Sequence, residues 1–262
     1  MKERADRLLV ERNLAESRQK AQALILAGMV YADDVKVEKS GQLLSVDRSL
    51  RVKESLPYVG RGGLKLEGAL ESFKLSVSGK TAADIGASTG GFTDCLLQRG
   101  ASFVFAVDVD TRQLDWKLSR DSRIQKIQKN ARYLTSGDFD RPLDIVVMDV
   151  SFISILKLLP VLRNLGEEIT VVSLVKPQFE VGRGQVGKRG IVRDPSLHRS
   201  VLASIIEKAE LMGYVVRDVV PSPIRGQKGN REFFIHWTMT GESLDSSTAQ
   251  SLIKEAVRDD SD

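Results

Sequence analysis

The chain has 262 residues, 42% of them hydrophobic, which is enough to bury a full core and allows one or two domains. It contains 39 Lys and Arg against 35 Asp and Glu, a balance that permits contact with a polyanion but does not demonstrate it. No run of about 18 apolar residues occurs and the first residues lack the apolar core of a secretion signal, so we expect a cytoplasmic protein that does not enter a membrane. The only cysteine, Cys95, excludes an intrachain disulfide, and the two histidines are too far apart in sequence to indicate a metal site.

Residues 1–58 are predicted to form a separate small α+β unit. A first helix covers residues 6–12, and a second begins after Ser17, a plausible N-cap, and ends at Gly28. Residues 30–37 then show two short strand patterns around an Asp-Asp turn, which predicts a hairpin.

The helical part of this unit resembles the small RNA-binding domain of ribosomal protein S-four. The resemblance rests on the runs 7–12, 15–21 and 24–30. In that family a basic helical face binds the RNA backbone, which provides affinity more than sequence choice. The resemblance therefore implies RNA contacts by Arg7, Arg12, Arg18 and Lys20. A solvated amphipathic helix pair is the alternative.

After a linker over residues 53–57, strand and helix patterns alternate along the chain. The predicted strands span 81–85, 103–107, 144–148, 170–174, 214–220 and 232–238. The predicted helices span 92–98, 112–120, 153–165 and 194–213, and the tail from 240 onward is expected to form one more helix with a frayed acidic end. This alternation predicts an α/β fold for residues 59–262, a Rossmann-like doubly wound sheet with helices on both faces.

Residues 84–94 are predicted to form the end of a buried strand, a glycine-rich turn and the start of a helix. Such a turn lets the backbone approach a ligand closely and presents the unpaired N–H groups of the first helical turn. The run lacks the G-x-G-x-x-G of dinucleotide folds, and Phe92 stands where a phosphate-binding loop needs Lys. Asp84 before the turn and Asp108 at the end of the next apolar run suit a cationic, hydroxyl-rich ligand, which favours S-adenosylmethionine.

The predicted cofactor contacts extend from this turn to the neighbouring strand ends. Asn130 is included because it follows a short stretch, 124–127, that has the pattern of one more strand. The full predicted set is Asp84, Gly86, Ala87, Ser88, Thr89, Gly90, Gly91, Phe92, Thr93, Asp108, Asn130 and Asp149. An ordinary glycine-rich connection without a ligand is the alternative.

Charged residues stand at three predicted strand ends and in a glycine-rich lead before the first strand of the sheet. Asp149 and Lys176 each follow a long apolar run, Glu232 opens the last strand, and Lys65 lies in the lead. Ligands bind at the carboxyl ends of the strands in doubly wound sheets, and charged residues there need partners. We therefore expect these four side chains to converge. Unrelated ion pairs are the alternative.

This set resembles the Lys-Asp-Lys-Glu tetrad of FtsJ-type RNA ribose 2′-O-methyltransferases, and the chain as a whole resembles the TlyA family. The motifs that carry the resemblance are 60–66, 84–93, 149–154, 174–180 and 231–234. The resemblance implies that Lys65, Asp149, Lys176 and Glu232 are catalytic, and that the enzyme methylates the 2′-hydroxyl of cytidine in ribosomal RNA, with ribosomal subunits as partners. Relatives also carry a haemolysin label, so membrane damage is a second hypothesis. A non-enzymatic RNA-binding assembly factor, which a broken tetrad would indicate, is the third.

The predicted chemistry centres on Lys176. A ribose hydroxyl becomes a good nucleophile only when a base removes its proton, and Lys176 is the predicted base. Partial burial and a second ammonium at Lys65 favour its neutral amine, whereas Asp149 and Glu232 favour the charged form while orienting it. The methyl sulfonium of the cofactor then needs only in-line placement.

Residues 178–193 contain four glycines and four basic residues and are predicted to form a mobile flap that closes over RNA. A surface loop without that role is the alternative. The predicted RNA contacts in the larger part of the chain are Arg61, Arg183, Lys188 and Arg189.

Overall fold

The computed structural model describes residues 2–53, 57–182 and 184–258, without the side chain of Lys188. Its contacts divide the chain into two compact units, Met1–Leu56 and Pro57–Asp262. Most of the predicted linker, the predicted RNA contact Arg183 and the acidic end after residue 258 lie outside the described residues.

The first unit contains two helices and five short strands among its described residues. The helices are α1 (Ala5–Glu11) and α2 (Arg18–Leu26). The strands are β1 (Lys2–Arg4), β2 (Val30–Ala32), β3 (Val35–Lys36), β4 (Leu43–Ser45) and β5 (Leu50–Val52). β2 pairs with β3 and β5, and β1 pairs with β4. The predicted helix pair and hairpin are present, whereas β1, β4 and β5 have only three residues each, too few for an alternating pattern to stand out in the sequence.

A buried carboxylate joins the elements of the first unit. Asp6 on α1 is fully buried, and its oxygens accept hydrogen bonds from Arg4 Nε at 2.9 Å, Arg18 Nη2 at 3.2 Å and Gln22 Nε2 at 3.0 Å. The bond from Arg4 is the main reason that the pKa of Asp6 lies well below its usual range. Arg18, a predicted RNA contact, therefore also has a structural role.

The second unit is built on one sheet. Its strands are β6 (Thr81–Ile85), β7 (Phe103–Asp108), β8 (Ile124–Gln128), β9 (Ile145–Met148), β10 (Thr170–Val175), β11 (Val215–Pro221) and β12 (Phe233–Thr238). Its helices are α3 (Arg61–Ser72), α4 (Gly91–Gln98), α5 (Leu159–Arg163), α6 (Pro177–Glu180), α7 (Pro195–Leu211) and α8 (Ser246–Val257).

The strands follow the order β11-β12-β10-β9-β6-β7-β8. β12 is antiparallel to both of its neighbours, and the remaining pairs are parallel. This arrangement confirms the predicted α/β class and the doubly wound sheet. It also confirms the strand predicted around residues 124–127, which is β8.

The central strands are buried on both faces, because helices cover the sheet on both sides. Every residue of β9 is buried. Helices α5, α7 and α8 contribute to the core on one face, and α3 and α4 contribute to the core on the other. The continuous apolar runs in the sequence follow from this two-sided burial. None of the helices in the described ranges is both long enough and apolar enough to cross a membrane.

The helix predicted over residues 112–120 is wrong. The segment forms two separate 3-10 turns, Thr111–Gln113 and Leu118–Arg120. Leu114 between them has extended backbone, and both Leu114 and Leu118 are buried. Packing of these two leucines decides the conformation, and it overrides the helical spacing of the apolar residues.

The helix predicted over residues 153–165 is also interrupted. A 3-10 turn, Ile155–Lys157, is followed by the short helix α5, which has Pro160 in its first turn. Proline lacks a backbone N–H, and its ring clashes with the carbonyl four residues earlier, so a helix can begin at Pro160 but cannot continue through it.

Tyr58 belongs to the second unit rather than to the first. It is buried, and its hydroxyl donates a hydrogen bond to Glu67 Oε1 at 2.6 Å. A Cβ at position 63 would lie 2.2 Å from the Tyr58 ring, so α3 can approach the ring this closely only because Gly63 has no side chain. The boundary between the two compact units accordingly lies before Pro57, two residues earlier than the predicted boundary.

Candidate active site

The register of β10 brings three of the predicted catalytic residues to one edge of the sheet. β10 pairs with β9 in parallel and with β12 in antiparallel, and Val175 at its end pairs with Phe233 at the start of β12. Asp149 and Lys176 therefore leave the sheet at the edge where Glu232 enters it.

The amino group of Lys176 lies between two oxygens. Its Nζ is 2.5 Å from Asp149 Oδ1 and donates a hydrogen bond to Ser151 Oγ at 2.8 Å. The side chains of Lys176 and Asp149 are 11% and 21% exposed, so the pair can reach solvent. Pro177 begins α6 directly after Lys176, which ends the strand and fixes where the lysine leaves it.

Lys65 pairs with Glu232 in a more enclosed position. Its Nζ lies 2.6 Å from Glu232 Oε2, and both residues are buried. Burial of these charges requires such a partner, because each ion loses its hydration. A Cβ at Gly226 would lie 2.4 Å from Glu232 Oε1, so the loop before β12 closes over the carboxylate. The four predicted residues thus form two separate lysine–carboxylate pairs.

The glycine-rich turn between β6 and α4 borders Asp149. Gly86 has a φ of +88°, and a Cβ there would lie 2.5 Å from the carbonyl oxygen of Asp149. Gly90 has a φ of +96°, and a Cβ there would lie 2.4 Å from Leu118 Cδ1. Both positions therefore require glycine. The result is a cradle of bare backbone beside the strand ends.

Asp84 lies beneath this turn and is fully buried. Its Oδ2 accepts a hydrogen bond from Thr93 Oγ1 at 2.6 Å, which ties β6 to α4. Its Oδ1 has no hydrogen-bond partner within the described residues. Burial raises the pKa of Asp84 to about 7, although the Thr93 hydrogen bond acts in the opposite direction. A buried acceptor without a partner, next to a glycine cradle, is suited to a ligand that brings a donor.

Asp108 shapes the other side of the turn. Its carboxylate accepts hydrogen bonds from the backbone N–H of Ser88 at 2.9 Å and of Asp110 at 3.0 Å. The first bond holds Ser88 at a φ of +49°. Asn130 is exposed just after β8, and the preceding residue, Lys129, donates its N–H to the Asp108 carbonyl at 3.0 Å. Asn130 therefore lies beside the end of β7, where its side chain caps the next turn.

The predicted cofactor contacts differ in exposure. Those that reach the surface are Gly86, Ser88, Thr89, Asp108, Asn130 and Asp149. Those that are buried are Asp84, Ala87, Gly90, Gly91, Phe92 and Thr93. The buried members support the turn from inside: the Phe92 ring, for example, lies 6.0 Å from the ring of Phe234 on β12.

An exposed aromatic side chain that the sequence analysis does not single out stands beside Lys176. Phe152 is 89% exposed and has a φ of +64°. Its ring lies 4.9 Å from the ring of Phe179, and its neighbour Ser151 binds Lys176. The left-handed conformation costs a non-glycine residue on the order of 1–3 kcal/mol, and backbone strain of this kind clusters at functional sites. The only signal in the sequence is the position of Phe152 within the motif 149–154.

The predicted RNA contacts differ in exposure and in the hydrogen bonds that they already form within the protein. The Arg12 guanidinium donates to the backbone carbonyls of Val46 and Arg48, and Arg18 is bonded to Asp6. Arg12 is therefore half-buried and holds the first unit together. The predicted contacts with exposed side chains are Arg7, Arg18, Lys20, Arg61 and Arg189.

Comparison with known proteins shows that this chain is similar to methyltransferases. A family model described as FtsJ-like methyltransferase matches residues 58–239. YqxC, a candidate rRNA methyltransferase of Bacillus subtilis, is 49% identical over 98% of this chain and 92% of its own length. TlyA of Mycobacterium tuberculosis, named 16S/23S rRNA (cytidine-2′-O)-methyltransferase, is 43% identical over 97% of both chains. A solved structure from Streptococcus thermophilus, described as a candidate hemolysin, has a TM-score of 0.74 at 43% identity and covers 97% of this chain and 95% of its own.

Replacing Asp84 with Asn should flatten the pH dependence of stability. The folded pKa of about 7 lies above the ordinary value of 3.8, so the folded chain keeps a proton that the unfolded chain loses in this window. The free energy of unfolding must then fall as the pH rises from about 4 to 7. Between about pH 5 and 8 we expect the unliganded wild type to lose about 2–3 kcal/mol more than Asp84→Asn, measured by urea unfolding. Equal slopes for the two proteins would contradict this.

Proposed function

The chain belongs to the FtsJ-like methyltransferase family, and we propose that it transfers the methyl group of S-adenosylmethionine to the 2′-hydroxyl of cytidine in ribosomal RNA. The observation that carries the proposal is the presence of two lysine–carboxylate pairs at one edge of the sheet, beside a glycine cradle. The Mycobacterium tuberculosis relative is named for this reaction on 16S and 23S rRNA. A ribosomal RNA substrate implies that the enzyme acts in the cytoplasm.

The residues around the glycine turn fit S-adenosylmethionine, which when bound supplies a methyl group activated by a sulfonium. Gly86 lets the turn pack directly against the Asp149 carbonyl, because a side chain there would collide with the strand end. Asp108 ends β7, where a carboxylate can accept hydrogen bonds from ribose hydroxyls. The free Oδ1 of Asp84 beneath the turn adds a buried acceptor for a donor group.

Lys176 is the general base of this proposal. A neutral amine has two N–H groups and one lone pair. Ser151 Oγ accepts one N–H group of Nζ and Asp149 Oδ1 lies 2.5 Å away, so the two oxygens orient the amine and leave the lone pair of its neutral form for the substrate. Nζ would accept the proton of the 2′-hydroxyl as the ribose oxygen takes the methyl group; S-adenosylmethionine would supply that group by breaking its sulfur–methyl bond and leaving as the neutral thioether.

The Lys65–Glu232 pair positions the substrate beside Lys176. Glu232 enters the sheet next to the point where Lys176 leaves it, and Lys65 holds its carboxylate at 2.6 Å. A buried charge held in this way costs little to reorganise during the reaction, which is the advantage of a preorganised site. In this arrangement Glu232 orients the reacting ribose and Lys65 keeps Glu232 in place.

Phe152 provides the stacking surface for a nucleotide at the site. An aromatic ring stacks on a base that has left its helix, and such stacking is worth about 1–3 kcal/mol per base. Phe152 is exposed at this edge and is supported from behind by Phe179. An enzyme that acts on one nucleotide of a folded RNA must bring that nucleotide out of its stack, and an exposed ring can stabilise the change.

The first unit supplies RNA affinity without taking part in the chemistry. Its exposed basic residues, including Arg7 and Lys20, suit contacts with phosphates, which position a protein on RNA but do not read its sequence. None of the four proposed catalytic residues lies in this unit.

The function can be tested with the full-length protein, methyl-labelled S-adenosylmethionine and ribosomal subunits. Label should appear in rRNA as 2′-O-methylcytidine after digestion to nucleosides. Label on a base, or on no RNA, would overturn the proposal. The same preparation tested for dye release from liposomes addresses the membrane-damaging activity that the name of the Streptococcus thermophilus relative suggests.

Lys176→Ala should lower the single-turnover rate of methyl transfer by about 10²–10⁴-fold, because the variant lacks the base. The affinity for S-adenosylmethionine, measured by calorimetry on the same sample, should stay nearly unchanged, since Lys176 contacts Asp149 and Ser151 rather than the glycine turn. Lys254→Ala, an exposed lysine on α8, is the matched control and should leave both quantities unchanged. A near-normal rate for Lys176→Ala would refute the mechanism.

Phe152→Leu should reduce kcat/KM about tenfold, within the range expected for loss of one base stack. Phe152→Tyr keeps the aromatic face and should retain most of the activity. Both variants should bind S-adenosylmethionine normally, because Phe152 lies beside Phe179 rather than in the turn. Equal activity of the Leu and Tyr variants would exclude stacking as the role of this side chain.

A further inference from the structure

A cleft of about 370 Å³ lies between the segment before α7 and the loop that joins β11 to β12. Arg193 lines it from the segment, and Arg225 and Lys228 line it from the loop. No acidic residue lines the cleft within the described part of the chain. Asp194, next to Arg193, uses its carboxylate to cap α7 by accepting the N–H of Ser196 at 2.8 Å. The cleft therefore carries positive charge on both walls.

Three of the cations that line this basic cleft are available to a ligand. Arg193, Arg225 and Lys228 are all exposed. Across residues 2–53, 57–182 and 184–258, none of the three forms an ion pair, unlike Arg112 or Arg123, each of which is bonded to a nearby aspartate. Exposed cations without carboxylate partners are the groups that an anion can recruit without breaking an existing pair.

The walls of the basic cleft are held in fixed positions by Asn230. This residue is buried; its Oδ1 accepts the N–H of Val192 at 3.0 Å, and its Nδ2 donates to the Gly190 carbonyl at 2.9 Å. Its own carbonyl accepts the N–H of Gly226 at 2.9 Å, which closes the loop. One buried side chain thus ties the segment to the loop, and it fixes the backbone of one wall relative to the other.

The same loop is attached to the active site. Ser222 donates its N–H to the Glu232 carbonyl at 2.9 Å, and Gly226 lies directly against the Glu232 carboxylate. On the other side, Arg61 at the start of α3 donates to the Arg225 carbonyl at 3.2 Å, four residues before Lys65 on the same helix. One wall of the basic cleft is therefore the loop that packs against the Lys65–Glu232 pair.

We propose that the basic cleft binds a phosphodiester of the RNA strand that carries the target ribose, through Arg193, Arg225 and Lys228. This inference rests on the proposed function, since it gives the RNA substrate a second point of attachment beside the reacting ribose. Guanidinium groups match phosphate oxygens in geometry and lysine adds a point charge. A phosphate fixed on a loop that contacts Glu232 restricts the ribose next to it, so the contact contributes to positioning as well as to affinity.

The test compares the full-length wild type with Arg225→Gln/Lys228→Gln, and with Arg193→Gln on the opposite wall. Binding of a fluorescent oligocytidylate is measured across a range of salt concentrations. Each lost phosphate contact should reduce the slope of log K against log salt by about 0.7 for a single strand. Lys74→Gln, at an exposed lysine after α3, removes one charge away from the cleft, as Arg193→Gln does within it, and should keep the wild-type slope. Calorimetry with S-adenosylmethionine verifies that each variant is folded.

If both cleft variants keep the wild-type salt slope and methylate ribosomal subunits as the wild type does, the cleft does not bind RNA phosphate. That result would leave the proposed function intact. A reduced slope in the cleft variants, in a protein whose wild type methylates no RNA, would support the cleft and overturn the proposed function. If both proposals hold, the variants show reduced slopes, and KM for RNA rises while kcat at saturating RNA changes less. An equal loss of slope in Lys74→Gln would show that general charge, rather than the cleft, accounts for the effect.

Discussion

The register of β10 against its two neighbours is the constraint on which the active site depends. Because β10 runs parallel to β9 and antiparallel to β12, one edge of the sheet receives two strand exits and one strand entry. A slip of one residue in β12 would turn its side chains to the opposite face. The buried Trp237 opposes such a slip, because its Nε1 donates a hydrogen bond to Ser173 Oγ at 2.8 Å across the pair. An apolar strand pair thus fixes the edge of the sheet at which three charged residues lie.

The charges at this edge are stable only because they are paired within the protein. Lys65 and Glu232 are both buried, and an unpaired charge in such a place would cost several kcal/mol. Asp84 is also buried, but among the described residues no cation is paired with it, and burial raises its pKa instead. The candidate site therefore combines two pre-paired charges with one buried acid, and in the proposed mechanism the paired charges need little reorganisation during methyl transfer.

Much of the fold could be predicted because local patterns and tertiary structure agree. The central strands, such as β9, are continuous apolar runs, which two-sided burial requires, and the turn after β6 needs glycine at both Gly86 and Gly90. The failures occur where packing overrides local pattern. Leu114 and Leu118 have the spacing of a helix, but they are buried in a segment that forms only 3-10 turns. Arg12 has the pattern of a solvated cation, but it donates hydrogen bonds to backbone carbonyls of its own unit. These outcomes depend on neighbours that are distant in the chain.

The sequence by itself determined the fold class, the glycine cradle and the identity of the four charged residues, because each depends on residues close together in the chain or on a recognisable motif. Only the tertiary structure decided which lysine pairs with which carboxylate, since Lys65 and Glu232 are 167 positions apart. It also decided that Phe152 is exposed beside Lys176 and that Arg193 faces Arg225 across a cleft. The physical reason is that exposure and pairing depend on which residues become neighbours, and distant parts of the chain become neighbours only when helices and strands pack.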